Sequence, residues 1–144
     1  MEGVCAMAGV RGFAAMERIL STAMDAAALR QQVAADNIAN VNTPGFRRRF
    51  VRFEDELSRA IGGRAVRGNR THPRHIPIGA STVGQIRPEI VRDDTSSMRN
   101  DGNNVDIDRE MAINAAAELQ YAALTQVTSA RYRMLRSAIT QGGR

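Results

Sequence analysis

Apolar side chains recur at helical spacing near the N-terminus of the chain. From about Met16 to Asn40 they follow one another at steps of three, four or seven residues, which is the spacing of a heptad seam. The pattern predicts one helix, about 37 Å long at 1.5 Å per residue. Pro44 and Gly45 end it, because Pro lacks an amide donor and Gly accepts turn geometry. The stripe consists of Leu20, Met24, Ala27, Ala34, Ile38 and Val41.

A second long helix is predicted near the C-terminus, from about Asp106 to Ile139. Asp106 is a suitable N-cap. Asp108 and Glu110 place negative charge in the first turn, and three arginines place positive charge near the end, so both groups oppose the helix macrodipole. Gly142 follows as a stop signal. Alanine lies on several faces, so the register is soft. The stripe is drawn through Ile113, Ala117, Tyr121, Leu124, Thr128, Leu135 and Ile139.

The region between the helices, residues 43–104, lacks a long periodic pattern. A short amphipathic helix ending at Gly62 is predicted where aromatic and aliphatic residues recur at helical spacing. Residues 64–74 are typical of a loop. Residues 85–91 favour a short strand or extended arm, although Pro88 argues against a central strand. The helical spacing is that of Phe46, Phe50, Phe53, Leu57 and Ile61.

The predicted fold class is mainly α, with long N- and C-terminal helices that pair as a coiled-coil-like bundle around an irregular, partly extended middle segment. Two helices cannot cover both stripes between themselves, so further copies or other subunits are expected to cover the rest. The middle has little to bury and is expected to be partly disordered in an isolated subunit. The segments are 1–15, a flexible extension; 16–42, the first helix; 43–104, the basic middle; and 105–141, the second helix, packed on the first.

The amino-acid composition excludes several classes of protein. Aromatic residues make up 4 % of the chain and Trp is absent, so a large core of bulky side chains is not expected. The single cysteine, Cys5, excludes an intrachain disulfide. No run approaches the roughly 20 apolar residues of a membrane span. The first sixteen residues lack the order of a cleaved signal peptide.

The formal net charge is +5, and all 20 basic residues are Arg. Coding bias explains this more simply than selection for bidentate pairing. A cluster follows the first helix and could bind an acidic protein surface or phosphate, or remain solvated. Nucleic acid is not expected, because the interleaved Phe residues have the spacing of a buried helical face and not of an exposed stacking platform. The cluster is Arg47, Arg48, Arg49 and Arg52.

No cofactor, metal or catalytic group is predicted. His72 and His75 lack further ligands at a standard spacing. The run from Asp101 to Asp108 loosely resembles a calcium loop, but Ala112 stands where Glu is required. There is no phosphate-binding glycine loop, dinucleotide fingerprint or nucleophile elbow.

Two asparagines near the end of the first helix could have either of two structural roles. Asn37 and Asn40 either cap the helix and form the turn, or donate hydrogen bonds across a subunit joint. Both readings stay open at this level. Gly45 is expected to adopt a positive φ.

The stretch from Asp36 to Arg47 resembles the N-terminal signature of flagellar rod and hook proteins. Residues 101–111 resemble the beginning of the second helix in the same family. The matching positions are Asn37, Ile38, Ala39, Asn40, Thr43, Gly45 and Phe46, and the turn motif is Thr43, Pro44, Gly45 and Phe46. Residues 71–76 resemble a motif of the B-type proximal rod proteins, and the chain length agrees with that type. The related C-type, and a small basic nucleic-acid-binding protein, are the alternatives.

The resemblance implies a structural, non-enzymatic subunit of the proximal rod of the flagellar basal body. It implies export by the flagellar type III apparatus without signal cleavage, followed by helical self-assembly in the periplasm. Expected partners are other rod subunits, the basal-body adaptor protein and the membrane ring protein. The expected assembly interface is Leu20, Met24, Ala27, Ala34, Asn37, Ile38, Asn40, Tyr121, Leu124, Leu135 and Ile139.

Overall fold

The computed structural model of the chain describes the backbone of residues 2–61, 86–95 and 99–141. Two long helices dominate it, and a two-stranded sheet with one short helix lies between them. The predicted motif at residues 71–76, with His72 and His75, lies outside the described residues. The elements are α1 (Glu2–Ala39), β1 (Arg49–Arg52), α2 (Glu54–Ile61), β2 (Glu89–Arg92) and α3 (Ile107–Gln141).

The long helices α1 and α3 pack against each other, with side-chain contacts from Phe13 and Arg131 at one end to Asn37 and Glu110 at the other. With 38 and 35 residues, they extend over roughly 57 and 52 Å at 1.5 Å per residue. The predicted mainly α fold with paired terminal helices is therefore confirmed. The predicted start of the first helix at residue 16 is too late, because α1 begins at Glu2. No Pro interrupts Glu2–Ala39, so the segment expected to be a flexible extension continues the helix.

The predicted amphipathic helix from Phe46 to Ile61 is half right. Only α2 is helical, and its first turn closes when the Leu57 amide donates to the Phe53 carbonyl at 2.9 Å. The preceding segment forms β1, which pairs antiparallel with β2. Phe46 and Phe50 do not join an apolar helix face, since their rings lie 5.6 and 5.7 Å from the guanidinium carbons of Arg49 and Arg48.

The second strand, β2, lies within the predicted extended segment apart from its last residue, Arg92. Arg49 faces Arg92 and Arg52 faces Glu89 in the register of the pair. Pro88 immediately precedes β2, so it removes no donor from the ladder. The predicted strand is therefore confirmed at residues 89–91.

A small apolar core lies where the middle region meets α1. Phe53 and Ile86 are buried against Ala26, and Leu57 packs on their edge. Along the helix pair the buried side chains are small or medium in size, which lets the two backbones approach closely. They are Leu20, Ala27, Val33, Ala34 and Ala117.

The N-terminus of α3 is capped as predicted. The Asp106 carboxylate accepts hydrogen bonds from the amides of Asp108 and Arg109 at 3.0 and 3.3 Å. Two amides that have no partner within the helix are thereby satisfied.

Candidate assembly interface

The turn after α1 is joined to the segment that leads into α3. We call the region where the end of α1, β1 and the start of α3 meet the junction. Gly45 has a φ of +71°, as expected from the turn motif, and its amide donates to the Asp101 carbonyl at 2.9 Å. Within the turn, the Thr43 amide donates to the Asn40 carbonyl at 3.0 Å. The side-chain amide of Asn40 donates to the Asp36 carbonyl at 2.8 Å. Asn40 therefore caps the end of α1 and forms part of the turn, which is the first of its two predicted roles.

Asn103, in the segment that leads into α3, holds the turn that follows α1. Its side-chain nitrogen lies within 3.0–3.1 Å of the carbonyl oxygens of Asn40, Val41 and Thr43. Its side-chain oxygen accepts from the Val105 amide at 2.8 Å. These carbonyls belong to the turn that follows α1, so one buried amide holds this turn against the segment that leads into α3.

Asn37 joins α1 to β1. Its side-chain oxygen accepts from the Arg49 amide at 3.0 Å, and its nitrogen donates to the Arg49 carbonyl at 2.7 Å. The same nitrogen donates to Oε2 of Glu110 at 3.0 Å. The side chain of Asn37 is completely buried. The predicted cross-subunit role for this amide is not seen in the single chain, because all these bonds are made within it.

The sheet register explains why an amide fits beside Arg49. Opposed residues of an antiparallel pair alternate between hydrogen-bonded and non-bonded pairs. The Asp93 amide donates to the Arg48 carbonyl at 2.8 Å, so the next pair, Arg49 with Arg92, is non-bonded and its polar groups point outwards. The side-chain amide of Asn37 binds these outward groups of Arg49 in the way that the main chain of a further strand would.

A second asparagine closes the end of the ladder. The Arg48 amide donates to the side-chain oxygen of Asn104 at 2.7 Å, and the Asn104 nitrogen donates to the Asp93 carbonyl at 3.0 Å. The side chain of Asn104 thus bridges the Arg48 amide and the Asp93 carbonyl at the end of the strand pair. Asn103 and Asn104 give the segment before α3 a specific structural role.

A buried ion pair crosses the junction. Nε of Arg48 donates to Oε1 of Glu110, whose side chain is 1 % exposed. Nη1 of Arg48 lies 3.5 Å from Oδ2 of Asp93. Both partners are withdrawn from water, so each depends on the other for stability. Arg48, predicted to bind a partner, is instead used inside the fold.

Asp93 is the other acidic group of this network. Hydrogen bonds from the hydroxyl and the amide of Thr95, at 2.7 and 3.1 Å, lower the pKa of Asp93 below its ordinary value of 3.8. Burial opposes the shift, and the charge of Arg48 adds to it. The carboxylate form of Asp93 is therefore favoured by the fold.

The remaining arginines of the predicted cluster lie nearer the surface. Arg47 donates to the Thr95 carbonyl at 2.9 Å, and Arg52 donates to Glu89 at 3.0 Å. Arg49 has its side chain half exposed, with its Nη1 3.9 Å from Oδ2 of Asp36. Exposed pairs of this kind contribute little to stability. These three guanidiniums are accessible from solvent.

The predicted interface residues of α1 are largely covered within the chain. Leu20, Ala27 and Ala34 are buried, and Met24 and Ile38 are half-buried. Little of the α1 stripe is therefore left for the further copies or other subunits that were expected to cover the rest. The middle region and α3 supply most of the cover.

The predicted stripe of α3 divides into two parts. Leu124 and Leu135 are half-buried on the side towards α1. Tyr121 is exposed, and the side chain of Ile139 is 78 % exposed. Tyr121 nevertheless lines a groove against α1 together with Leu20 and Met24, so it lies on the predicted side of the helix.

A further apolar surface on α3 was not singled out from the sequence. Its residues are exposed, uncharged and fall on the side of the helix turned away from α1. Leu119, at the centre of this surface, is 74 % exposed. The only sign of this surface in the sequence was that alanines lie on several faces of the predicted helix. This surface, the outer face of α3, consists of Ala112, Ala115, Leu119, Ala122, Ala123, Val127 and Met134.

Known proteins resemble the chain closely. A family model described as flagella basal body rod protein matches residues 18–47. The flagellar basal body rod protein FlgB of Borrelia hermsii is 39 % identical over 124 residues, which is 81 % of this chain and 89 % of that protein. FlgB of Escherichia coli is 33 % identical over 130 residues, 87 % and 93 % of the two chains. FlgB of Bacillus subtilis is 28 % identical over 123 residues, 85 % and 92 %.

The chain belongs to the flagellar basal body rod protein family. The resemblance inferred from the sequence is therefore confirmed, including the preference for the B-type. This rod protein is a structural subunit of the flagellar basal body and assembles with other basal-body components.

The residues matched by the family model include the end of α1 and the turn. Asn103 and Glu110, from the C-terminal part of the rod protein, hydrogen-bond to these parts. The match therefore overlaps the contacts made by Asn37, Asn40 and Gly45.

Two further findings concern the described part of the rod protein. None of its helices combines the length and apolar character needed to cross a membrane. Among the same residues, no three His, Cys, Asp or Glu side chains are grouped so that they could hold a metal ion.

Proposed function

We propose that this protein is a non-catalytic, oligomeric subunit of the proximal rod, and that the outer face of α3 packs against neighbouring subunits. The observation that carries the proposal is this exposed apolar surface on a helix whose opposite side is already covered by α1. A helix that is apolar on two sides needs a partner on each.

The composition of the outer face suits close helix packing. Its alanines would let a neighbouring helix approach to roughly 8–10 Å between axes. Leu119 and Met134 would supply the larger side chains that fill the space between them.

The finer expectations of partners and route are part of the proposal. The neighbours are other rod subunits, the basal-body adaptor protein and the membrane ring protein. Delivery is through the flagellar type III apparatus without signal cleavage, and assembly takes place in the periplasm. Family membership supports these steps, and Arg47, Arg49 and Arg52 offer accessible guanidiniums to acidic neighbours.

Leu119→Glu tests the proposal when it is expressed in a normally motile bacterium whose own copy of this gene has been deleted. The side chain is exposed in the single chain, so the purified variant should keep its circular dichroism spectrum and melting temperature. Motility should be lost, because the charge would be buried without a partner in the assembled rod. Export of the subunit should continue.

Thr125→Glu is the matched control, because Thr125 is exposed on the same helix but outside the outer face. It should retain more motility than Leu119→Glu. Normal motility of the Leu119→Glu strain would show that the outer face is not an interface.

A further inference from the structure

A groove of about 270 Å³ lies between the two long helices, and we call it the α1–α3 groove. Its floor is largely apolar, with Leu20 and Met24 of α1 facing Tyr121 and Thr128 of α3. The Thr128 hydroxyl lies 3.8 Å from the Met24 sulfur, so the helices touch beneath the groove. The volume is below the range of roughly 300–1,000 Å³ that is typical of small-molecule pockets. It suits side chains of a docked helix better than a small molecule.

The middle region of the same chain lies on the other flank of α1. Phe53 and Ile86 pack against Ala26. Successive residues of an α-helix are turned by about 100°, so Ala26 points away from its neighbour Asp25 and from Ser21. Both of these residues line the groove. The described part of the middle region therefore leaves the α1–α3 groove uncovered.

The side chains that line the α1–α3 groove include two carboxylates and no basic group. Glu17 is partly compensated, because the Tyr132 hydroxyl donates to its Oε2 at 3.2 Å and Nε of Arg131 lies 3.5 Å from its Oε1. That Oε1 is buried and accepts no hydrogen bond from the described residues. Asp25 is exposed and has neither an ion pair nor a hydrogen bond within the described residues. A negative charge therefore remains at the mouth of the groove.

Two exposed aromatic rings specify which cation fits beside Asp25. Tyr121 and Tyr132 both line the groove. A guanidinium stacks on an aromatic face and binds a carboxylate through its planar fork, whereas an ammonium is more strongly hydrated. The combination of a carboxylate without a partner and two tyrosine rings therefore favours an arginine side chain.

The chain carries an arginine of this kind on the outer side of α3. Arg133 is exposed and, within the described residues, has neither an ion pair nor a hydrogen bond. It lies 18 residues after Ala115, which is about five helical turns, so it continues the outer face towards the C-terminus. It is turned by about 140° from Thr128 and thus points away from the groove of its own chain. The groove that it can enter belongs to another copy.

We infer that the α1–α3 groove receives the outer face of α3 of a second copy of this chain, whose Arg133 binds Asp25 beside the rings of Tyr121 and Tyr132. This inference rests on the proposed function, because it names the surface against which the outer face packs. The two surfaces lie on different sides of one chain, so the contact is heterologous and repeats from copy to copy. A heterologous contact that does not close into a ring produces an open helical assembly.

Disulfide crosslinking in cells that assemble the rod tests the contact. In a Cys5→Ser background, Ser21→Cys in the groove is co-expressed with Ser129→Cys or with Ser137→Cys. These two positions are exposed and lie one turn before and one turn after Arg133. Oxidation should give a covalent dimer with one of them, and which one reports the direction of the docked helix. Each variant expressed alone should give no dimer, because the contact joins two different surfaces.

Ser58→Cys, which is exposed on α2, is the control and should give no dimer with Ser21→Cys. The inference is overturned if neither α3 variant crosslinks to Ser21→Cys. That result is expected if the chain's own segment 62–85 or a different protein fills the groove.

An exchange of charges tests whether Arg133 and Asp25 are partners. Arg133→Asp and Asp25→Arg should each reduce the number of motile cells at least about tenfold, because like charges across an interface oppose association. Both variants should keep the circular dichroism spectrum of the original chain. The chain that carries both substitutions should recover most of its motility. Arg133→Asp combined with Asp55→Arg, at an exposed position on α2, should not recover it. Normal motility of the single variants, or no recovery in the exchanged chain, would refute the pairing.

Failure of this inference differs in outcome from failure of the proposed function. Non-motile Leu119→Glu cells, together with no dimer from Ser21→Cys, would show that the outer face packs on another surface, so only the inference would fall. Motile Leu119→Glu cells would refute the outer face as an interface, and the inference would fall with it.

Discussion

The side chain of Asn37 pairs with the main chain of Arg49 through both atoms of its amide, at 2.7 and 3.0 Å. A residue of α1 thereby completes the outer edge of β1. Since Asn37 also donates to Glu110, one side chain connects the end of the first helix, the sheet and the first turn of the last helix. The junction of the rod protein depends on this amide.

Asn37→Ala is expected to destabilise the fold by more than a surface substitution. It leaves the Arg49 amide and carbonyl and one oxygen of Glu110 without their partner, and each unsatisfied buried group costs about 1–3 kcal/mol. Urea unfolding followed by circular dichroism measures the change in free energy of unfolding. Asn42→Ala, at an exposed position in the turn, is the control and should change it by less than about 0.5 kcal/mol. Similar values for the two variants would contradict the role of Asn37.

The ion pair of Arg48 and Glu110 predicts strong coupling between two substitutions. Arg48→Met alone should cost about 3–5 kcal/mol, because Glu110 is left buried without a cation. Glu110→Gln alone should cost less, because Asp93 stays 3.5 Å from Arg48. The double variant should cost less than the sum, with an interaction energy of roughly 0.5–3 kcal/mol. A double-mutant cycle by urea unfolding measures it. The exposed pair Arg52 and Glu89 gives the matched cycle, in which coupling should stay below about 1 kcal/mol.

Gly45→Ala should destabilise the chain through backbone strain alone. The φ of +71° costs an L-residue about 1–2 kcal/mol, and no atom lies within 4 Å of the position that a Cβ would take. Gly45→Asn should cost less, because Asn tolerates this conformation. Thermal unfolding of both variants checks the order. A larger loss for Asn than for Ala would show that strain is not the cause.

The features visible in the sequence are those that local chemistry determines. The two long helices, the Asp106 cap and the positive φ of Gly45 each depend on residues close in the chain. The pairing of Arg48 with Glu110 joins residues 62 positions apart, and no local pattern reports it. Arg48 therefore looked like one more surface cation.

The strand β1 was missed for a different reason. Phe46, Phe50 and Phe53 have helical spacing, and a short apolar segment is compatible with both helix and strand. The choice is made by the pairing of Phe50 with Val91, which is remote in sequence. The outer face of α3 escaped notice because alanine does not distinguish a buried stripe from an exposed one.

Acid should weaken the junction through Asp93. Because the folded chain lowers the pKa of Asp93, the unfolded state binds the proton more readily, so this stabilisation is present above about pH 4 and is lost as pH falls below it. Asp93→Asn removes the charge at every pH. The difference in free energy of unfolding between the original chain and this variant should therefore be largest at neutral pH and shrink towards pH 2.5. Urea titrations across that range measure it, with Asp94→Asn, at an exposed neighbour, as the control. A difference that stayed constant with pH would mean that Asp93 stabilises the junction by shape and hydrogen bonding and not by its charge.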